Sequence, residues 1–202
     1  DCGSSDHERL AAARQAGIES VVIDHHLVPE EPLPVVAFLN PHRPDCAFPY
    51  KGLASCGLGL FLATALRKAL AAKLDVRRWL DLVAVGTIAD VAPLDGDNRV
   101  LVRAGLGRLS GGERVGLAAL ASAASGGRRR PMSAEDVAYQ VAPRINAPGR
   151  LGDPRLALEL LRERDAARAR VLAERIEQLT VERRDIQRTM TAEALQEVSA
   201  HG

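Results

Sequence analysis

The segment Val21-Val22-Ile23-Asp24-His25-His26 runs from β-branched apolar residues straight into a carboxylate and two adjacent imidazoles. These are hard oxygen and nitrogen donors, the groups that ligate divalent cations or move protons near neutral pH. Asp1, ahead of Gly3, and Asp90, at the end of the apolar run Gly86-Thr87-Ile88-Ala89, belong with them. A carboxylate on the last turn of a buried helix is costly to hold unless it is paired, hydrogen-bonded or bound to a cation. Asp1, Asp24, His25, His26 and Asp90, with no thiolate obviously involved, favour Mn²⁺ or Mg²⁺ over structural zinc. A site of several carboxylates and a histidine suits two such ions about 3.5 to 4 Å apart, for in-line displacement at phosphorus. Phosphoester hydrolysis therefore follows from this ligand set more naturally than peptide or redox chemistry. Each residue also has a plainer role open to it: Asp90 as a cap or an arginine's partner, the histidines as ordinary loop residues.

These donors need elements to carry them. Ser20 to Ile23 reads as a buried parallel strand, because its β-branched side chains show no polar alternation. Asp24, His25 and His26 then sit at the strand's carboxyl end, where an open α/β sheet leaves its ligand crevice. Two consecutive histidines there point to opposite sides, so one can hold a metal while the other faces substrate. A helix from Asp6 to Ala16, stopped by Gly17, leads into this strand and completes the second half of a βαβ unit. Residues 29 to 50 are proline-rich and irregular, with a short strand at Val35 to Leu39. Gly57 to Lys73 is expected to be a helix with an apolar face of Leu60, Phe61, Ala65 and Leu66. Gly57 and Gly59 do not make a phosphate loop, since no Lys-Ser/Thr follows them.

Arg77 to Ala89 is apolar nearly all round and reads as a core helix that delivers Asp90. Short helices are expected at Asn98 to Leu109 and Glu113 to Ala124, then an exposed loop with Arg128, Arg129 and Arg130, and an N-cap at Ser133. Pro143 to Leu151 carries two prolines and is expected to be a rigid loop. Its Arg144, Asn146 and Arg150 suit phosphate oxygens, because the guanidinium fork matches them and stiff backbone loses little entropy on binding. From Pro154 to Val198 the chain is helix-forming nearly throughout, with an apolar stripe of Leu172, Ile176, Leu179, Ile186 and Met190.

The 202 residues suffice for one good core or one domain plus an appendage, and a hydrophobic content of 47% is that of an ordinary folded chain. No apolar run is long enough to span a bilayer and no secretory signal is in view, so a cytoplasmic location without membrane contact is expected. Cys2, Cys46 and Cys56 are scattered without metal-finger spacing and read as free thiols. The formal charge of +1 is uneven: residues 103 to 150 carry 8 basic and 3 acidic side chains, against 10 and 13 in residues 1 to 102. A basic middle segment suits a polyanionic partner.

Asp1-x-Gly3, Asp24-His25-His26 and Gly86-Thr87-Ile88-Ala89-Asp90 resemble the second, third and fourth motifs of the DHH phosphoesterase superfamily. Asn40-Pro41, Phe48-Pro49-Tyr50-Lys51-Gly52-Leu53-Ala54 and Pro143 to Leu151 resemble its RecJ branch of single-strand-specific DNA exonucleases. The resemblance implies that Asp1 bridges two Mn²⁺ or Mg²⁺ ions while His25 and Asp90 ligate one of them. Asp24 would orient His25, and His26 would face the scissile phosphate as donor or acid. Arg144, Asn146 and Arg150 would hold backbone phosphates, supplying affinity rather than base preference.

The fold implied is α/β and helix-rich: a partial parallel-sheet DHH domain over residues 1–152, then a long connecting helix over 153–202 that leads to an accessory domain. The activity implied is a 5′-to-3′ exonuclease releasing mononucleotides in DNA repair and recombination. Single-stranded DNA is the partner, with a single-strand-binding protein or helicase recruited through other regions. The family's Asp-x-Asp first motif would lie upstream of Asp1, so this stretch alone is expected to bind metal weakly and to be a poor catalyst. Alternatives are a nanoRNase or cyclic-dinucleotide phosphodiesterase of the same superfamily, and a non-catalytic DNA-binding scaffold. A separation above about 10 Å between Asp90 and His25 would be too wide for a shared coordination sphere and would rule the nuclease reading out.

Overall fold

The computed structural model describes residues 2–127 and 130–201, without the side chains of 200 and 201. Residues 1–108 and 109–202 form two compact units, which divide within helix α4. Asp1, Arg128 and Arg129 lie outside the described residues.

In the first unit, helix α1 (His7–Gln15) ends at Gly17, whose φ of 76° lets the chain reverse into strand β1 (Val21–Ile23). Strand β2 (Ala37–Leu39) pairs with β1 in parallel, Val22 opposite Phe38. The two strands expected from the sequence are therefore present and parallel. Burial is less complete than a core strand implies: Val22 is buried, but Val21 is 57% exposed. Asp24 N–H donates to Leu39 O at 3.0 Å, so the ladder's last rung fixes the backbone from which the site departs.

Helix α2 (Ser55–Ala69) buries its first turn, Gly57 and Leu58, and not the face of Leu60, Phe61, Ala65 and Leu66 that periodicity suggests. Phe61 and Leu66 are exposed. Full burial in α2 is confined to its N-terminal end, so position along the axis decides burial ahead of angular position. A 3₁₀ turn (Val76–Trp79) leads into α3 (Leu80–Ala89), which buries Val83, Ala84, Val85, Thr87 and Ile88 as its composition requires. Gly86 allows α2 and α3 to close: a Cβ there would lie 2.7 Å from Cys56 Sγ. Helix α4 (Gly96–Gly111) follows.

The second unit contains α5 (Val115–Ala124), the short α6 (Ala134–Asp136), a π-helical turn (Val137–Val141), α7 (Ala142–Leu151), α8 (Arg155–Arg162) and α9 (Ala166–His201). Ser133 caps α6 as expected, with a reciprocal bond between its backbone N–H and Asp136. The segment expected to be a stiff loop, 143–151, is helix. Pro143 falls in the first turn, where no N–H is needed, and Pro148 costs one bond that the packed face of Ala147, Pro148 and Arg144 offsets. The helix expected from residue 154 onwards is broken at residues 163–165, where Glu163 is extended and its carboxylate accepts from Arg164 N–H and Asp165 N–H. Helix α9 buries Ala169, Ala173, Ile176 and Thr180, while Ile186 and Met190 of the expected stripe are exposed.

Candidate metal centre

Asp24 and His25 leave the end of β1 and Asp90 caps the end of α3, and the fold brings them together. His25 Nε2 lies 3.4 Å from Asp90 Oδ2, with both side chains three-quarters or more buried. That separation is below twice the bond length of about 2.1 Å for divalent cations, so one ion can touch both atoms. Donor atoms of Asp24, His25 and His26 also lie within 4.8 Å of one another. The donor set, one imidazole with carboxylates and no thiolate, fits Mn²⁺ or Mg²⁺.

Asp24 is almost fully buried and its oxygens are fully used. Oδ1 accepts from His26 Nδ1 at 2.7 Å, from His25 N–H at 2.8 Å and from His26 N–H at 3.3 Å, while Oδ2 accepts from Ser4 N–H at 2.9 Å. Burial pushes the carboxyl up, but the His26 and Ser4 bonds outweigh it and hold it well below the ordinary carboxylate range. The ring nitrogen that Asp24 grips is His26's, whereas the resemblance implies that it orients His25. The local geometry explains this: a side chain at a strand end reaches the residue two further on, which lies on its own side of the chain. His26 is left 61% exposed with its ring anchored, facing outward, and its centroid is 4.6 Å from that of His25.

Ser4 and Asn40 complete the arrangement, and neither was picked out by residue type. Gly3, at φ 118°, packs against Val22 so tightly that a Cβ would lie 2.9 Å from Val22 Cγ1, and this brings Ser4 N–H to Asp24. Asn40, buried at the end of β2, donates to His26 O at 2.8 Å and to Ser4 Oγ at 3.4 Å, while its Oδ1 accepts from His42 N–H. Asn40 carried one signal in the sequence, a polar residue directly after the apolar run of β2, whereas Ser4 follows no described strand.

Downstream of Asp90, Tyr50 O–H donates to Asp95 Oδ1 at 2.6 Å, and burial together with that carboxylate pushes the phenol up to about 12. Buried Asn98 donates to Gly52 O at 2.6 Å and to Pro93 O at 2.9 Å. The 50–54 segment is thereby tied to the loop that leaves Asp90. Beneath the centre, burial pushes the Cys56 thiol up, and its Sγ lies 3.5 Å from Thr87 Oγ1.

The second unit holds the expected phosphate-binding residues. Asn146 and Arg150 are exposed on α7. Arg144 is buried: its Nε lies 2.5 Å from Glu177 Oε2, its Nη2 lies 3.0 Å from Glu177 Oε1, and its Nη1 donates to Gln140 O at 2.7 Å.

A two-strand parallel edge thus delivers a carboxylate and paired histidines to a second carboxylate, a donor set able to hold a divalent cation, and the same segment is similar to known proteins. Residues 1–87 match the model of the DHH family, N-terminal domain. The chain is 41% identical to the single-stranded-DNA-specific exonuclease RecJ of Dickeya dadantii, over 96% of its own length and 36% of that protein. It is 38% identical to the Bacillus subtilis RecJ over 100% of its length and 25% of that protein. It thus spans about a third or less of the curated relatives it matches. A crystal structure of exonuclease RecJ bound to manganese superposes with a TM-score of 0.84 at 37% identity, covering 98% of this chain and 49% of that one. RecJ from Thermus thermophilus in complex with Mn²⁺ gives 0.83 at 38%, covering 97% and 29%.

Proposed function

We propose that this chain carries metal-binding and catalytic residues of a single-stranded-DNA exonuclease, cutting 5′-to-3′ and releasing mononucleotides in DNA repair and recombination. The observation that carries the reading is the 3.4 Å approach of His25 Nε2 to Asp90 Oδ2, beside a histidine anchored by its own carboxylate. The relatives named RecJ, and the RecJ structures holding Mn²⁺ or Mg²⁺, support the substrate and the ion.

His25 and Asp90 would hold the ion, with Asp1 as a further ligand. Bound there, divalent cations supply an ionised water and neutralise charge on the phosphoryl oxygens. Asp24, charged at neutral pH, keeps the His26 ring fixed and compensates a proton on it, so His26 Nε2–H can donate to a phosphoryl oxygen or to the leaving oxygen. Asn40 holds the His26 backbone in register with that task. In the second unit, Asn146 and Arg150 would grip backbone phosphates. Arg144 would serve them by bracing α7, since its guanidinium is occupied by Glu177. Functionally, residues 1–152 would form the phosphoesterase part and 153–202 a helical connector. No described helix is long and apolar enough to cross a membrane. A cytoplasmic site of action, with a single-strand-binding protein or helicase as partner, belongs to the same proposal.

Asp90→Ala in the full-length protein tests this. Loss of nuclease activity with single-stranded DNA binding retained is expected, and unchanged cleavage refutes it. Comparison of a dinucleotide with a long single strand separates this activity from that of a short-substrate phosphodiesterase of the same family.

A further inference from the structure

Helices α1, α2, α3 and α5 end in the same reversal, in which the residue after the cap turns left-handed and the next two N–H groups return to carbonyls of the last turn. In α1 the left-handed residue is Gly17 (φ 76°), and in α5 it is Gly126 (φ 63°). In α2 it is Ala71 (φ 49°), and in α3 it is Val91 (φ 58°), bonded through Val91 N–H to Ile88 O and Ala92 N–H to Thr87 O. Val91 is thus the β-branched exception among the described residues. Valine is among the worst choices there, because its Cβ substituents crowd the carbonyl in that conformation. No packing within this chain explains it, since Val91 is 87% exposed. It directly follows Asp90. Leu27, also 87% exposed, directly follows His26. Each of these site residues is therefore followed by an aliphatic side chain standing in water.

We infer that the Val91 side chain contacts the nucleobase of the nucleotide whose phosphate reaches the centre, with Leu27 as a second apolar contact for the strand. This rests on the single-stranded-DNA reading above. An aliphatic group suits an enzyme that must accept every base: each base offers a π-face and none is selected by hydrogen bonding. The strained backbone sets the side chain outward, where a relaxed turn would carry glycine and no side chain.

The test uses full-length protein, with Val91→Gly, Val91→Ala, and a single strand whose reacting nucleotide is either normal or abasic. Val91→Gly relieves the backbone and is expected to raise the melting temperature by a few degrees. Its kcat/KM on the normal strand should fall about tenfold, mostly through KM, the loss expected for uncovering one valine-sized contact. Val91→Ala, which keeps the backbone cost, should lose as much. On the abasic strand wild type and both variants should cleave equally, and Mn²⁺ affinity should be unchanged throughout. Equal kcat/KM of wild type and Val91→Gly on the normal strand overturns the inference alone. A fall in Mn²⁺ affinity that accounts for the activity loss also overturns it, because Val91 would then be acting by setting Asp90. Absence of cleavage by wild type overturns the single-stranded-DNA reading and this inference with it.

Discussion

Asp24 Oδ1 accepts from His26 Nδ1 at 2.7 Å while the same carboxylate receives three backbone N–H groups, from Ser4, His25 and His26. One buried side chain therefore ties the β1 end, the 3–5 turn and the outward histidine into a single unit. Replacing it by its near-isostere should have both a structural and a catalytic cost. Asp24→Asn turns one acceptor into an NH₂ group, so a backbone N–H or the His26 ring loses its partner. A loss of about 1 to 3 kcal/mol in denaturant unfolding is expected. The cleavage rate of the full-length protein should fall about 10- to 100-fold. A variant that keeps wild-type stability and rate would show that the carboxylate is dispensable.

Asp136 gives a pH dependence whose sign is fixed. The Arg130 guanidinium, together with Ser133 N–H, holds its carboxyl at about 2, against a smaller upward push from burial. Because this folded-state value lies below the ordinary 3.8, the unfolded chain binds more protons between the two. The stabilisation is complete above about pH 4 and is lost as pH falls through 2. The stability difference between wild type and Asp136→Asn, measured by denaturant unfolding from pH 5 to 2, should therefore shrink as pH falls. A difference constant over that range would contradict the assignment.

Arg144 and Arg150 lie on one helix and should separate cleanly. Arg144→Ala leaves Glu177 without its guanidinium and should cost about 2 to 4 kcal/mol. Arg150→Ala, at an exposed position, should change stability by no more than about 0.5 kcal/mol. It should weaken single-strand binding and reduce the salt slope by roughly 0.7. Salt-dependent binding titrations and unfolding curves of both variants check this, and a stability loss confined to Arg150→Ala would reverse the roles.

Gly86 sets the closure of α2 on α3. A methyl there meets Cys56 Sγ at 2.7 Å, so Gly86→Ala should destabilise by about 1 to 3 kcal/mol. Adding Cys56→Ala removes the sulfur and should recover part of the loss, a coupling that a double-mutant cycle measures. Strict additivity would mean that the contact is relieved in some other way.

What could be read from the sequence follows the range of the forces involved. The strand before Asp24 and the core helix before Asp90 were legible from their continuous apolar runs, although only the helix is buried along most of its length. The family resemblance then supplied what composition does not, that these two ends meet. Ser4 and Asn40 were missed as site residues because they act through backbone closure across distant positions, which no spacing rule encodes. The proline rule failed at 143–151, where packing of α7 offsets one missing hydrogen bond. Helix periodicity misplaced the buried part of α2, since it gives the angle of a side chain but not its depth along the axis. Arg144 looked like a phosphate ligand by type, but Glu177 had already claimed it, and that pairing spans two helices.

In the proposed site His25 and Asp90 share one divalent cation. Mn²⁺ binding followed by electron paramagnetic resonance on wild type, His25→Ala, Asp90→Asn and the double variant tests it most directly. Each single change should weaken the same site about tenfold or more, and the double variant should lose little beyond the worse single, because both side chains serve one ion. Mn²⁺ binding in both single variants at wild-type strength would show that these side chains do not hold the ion.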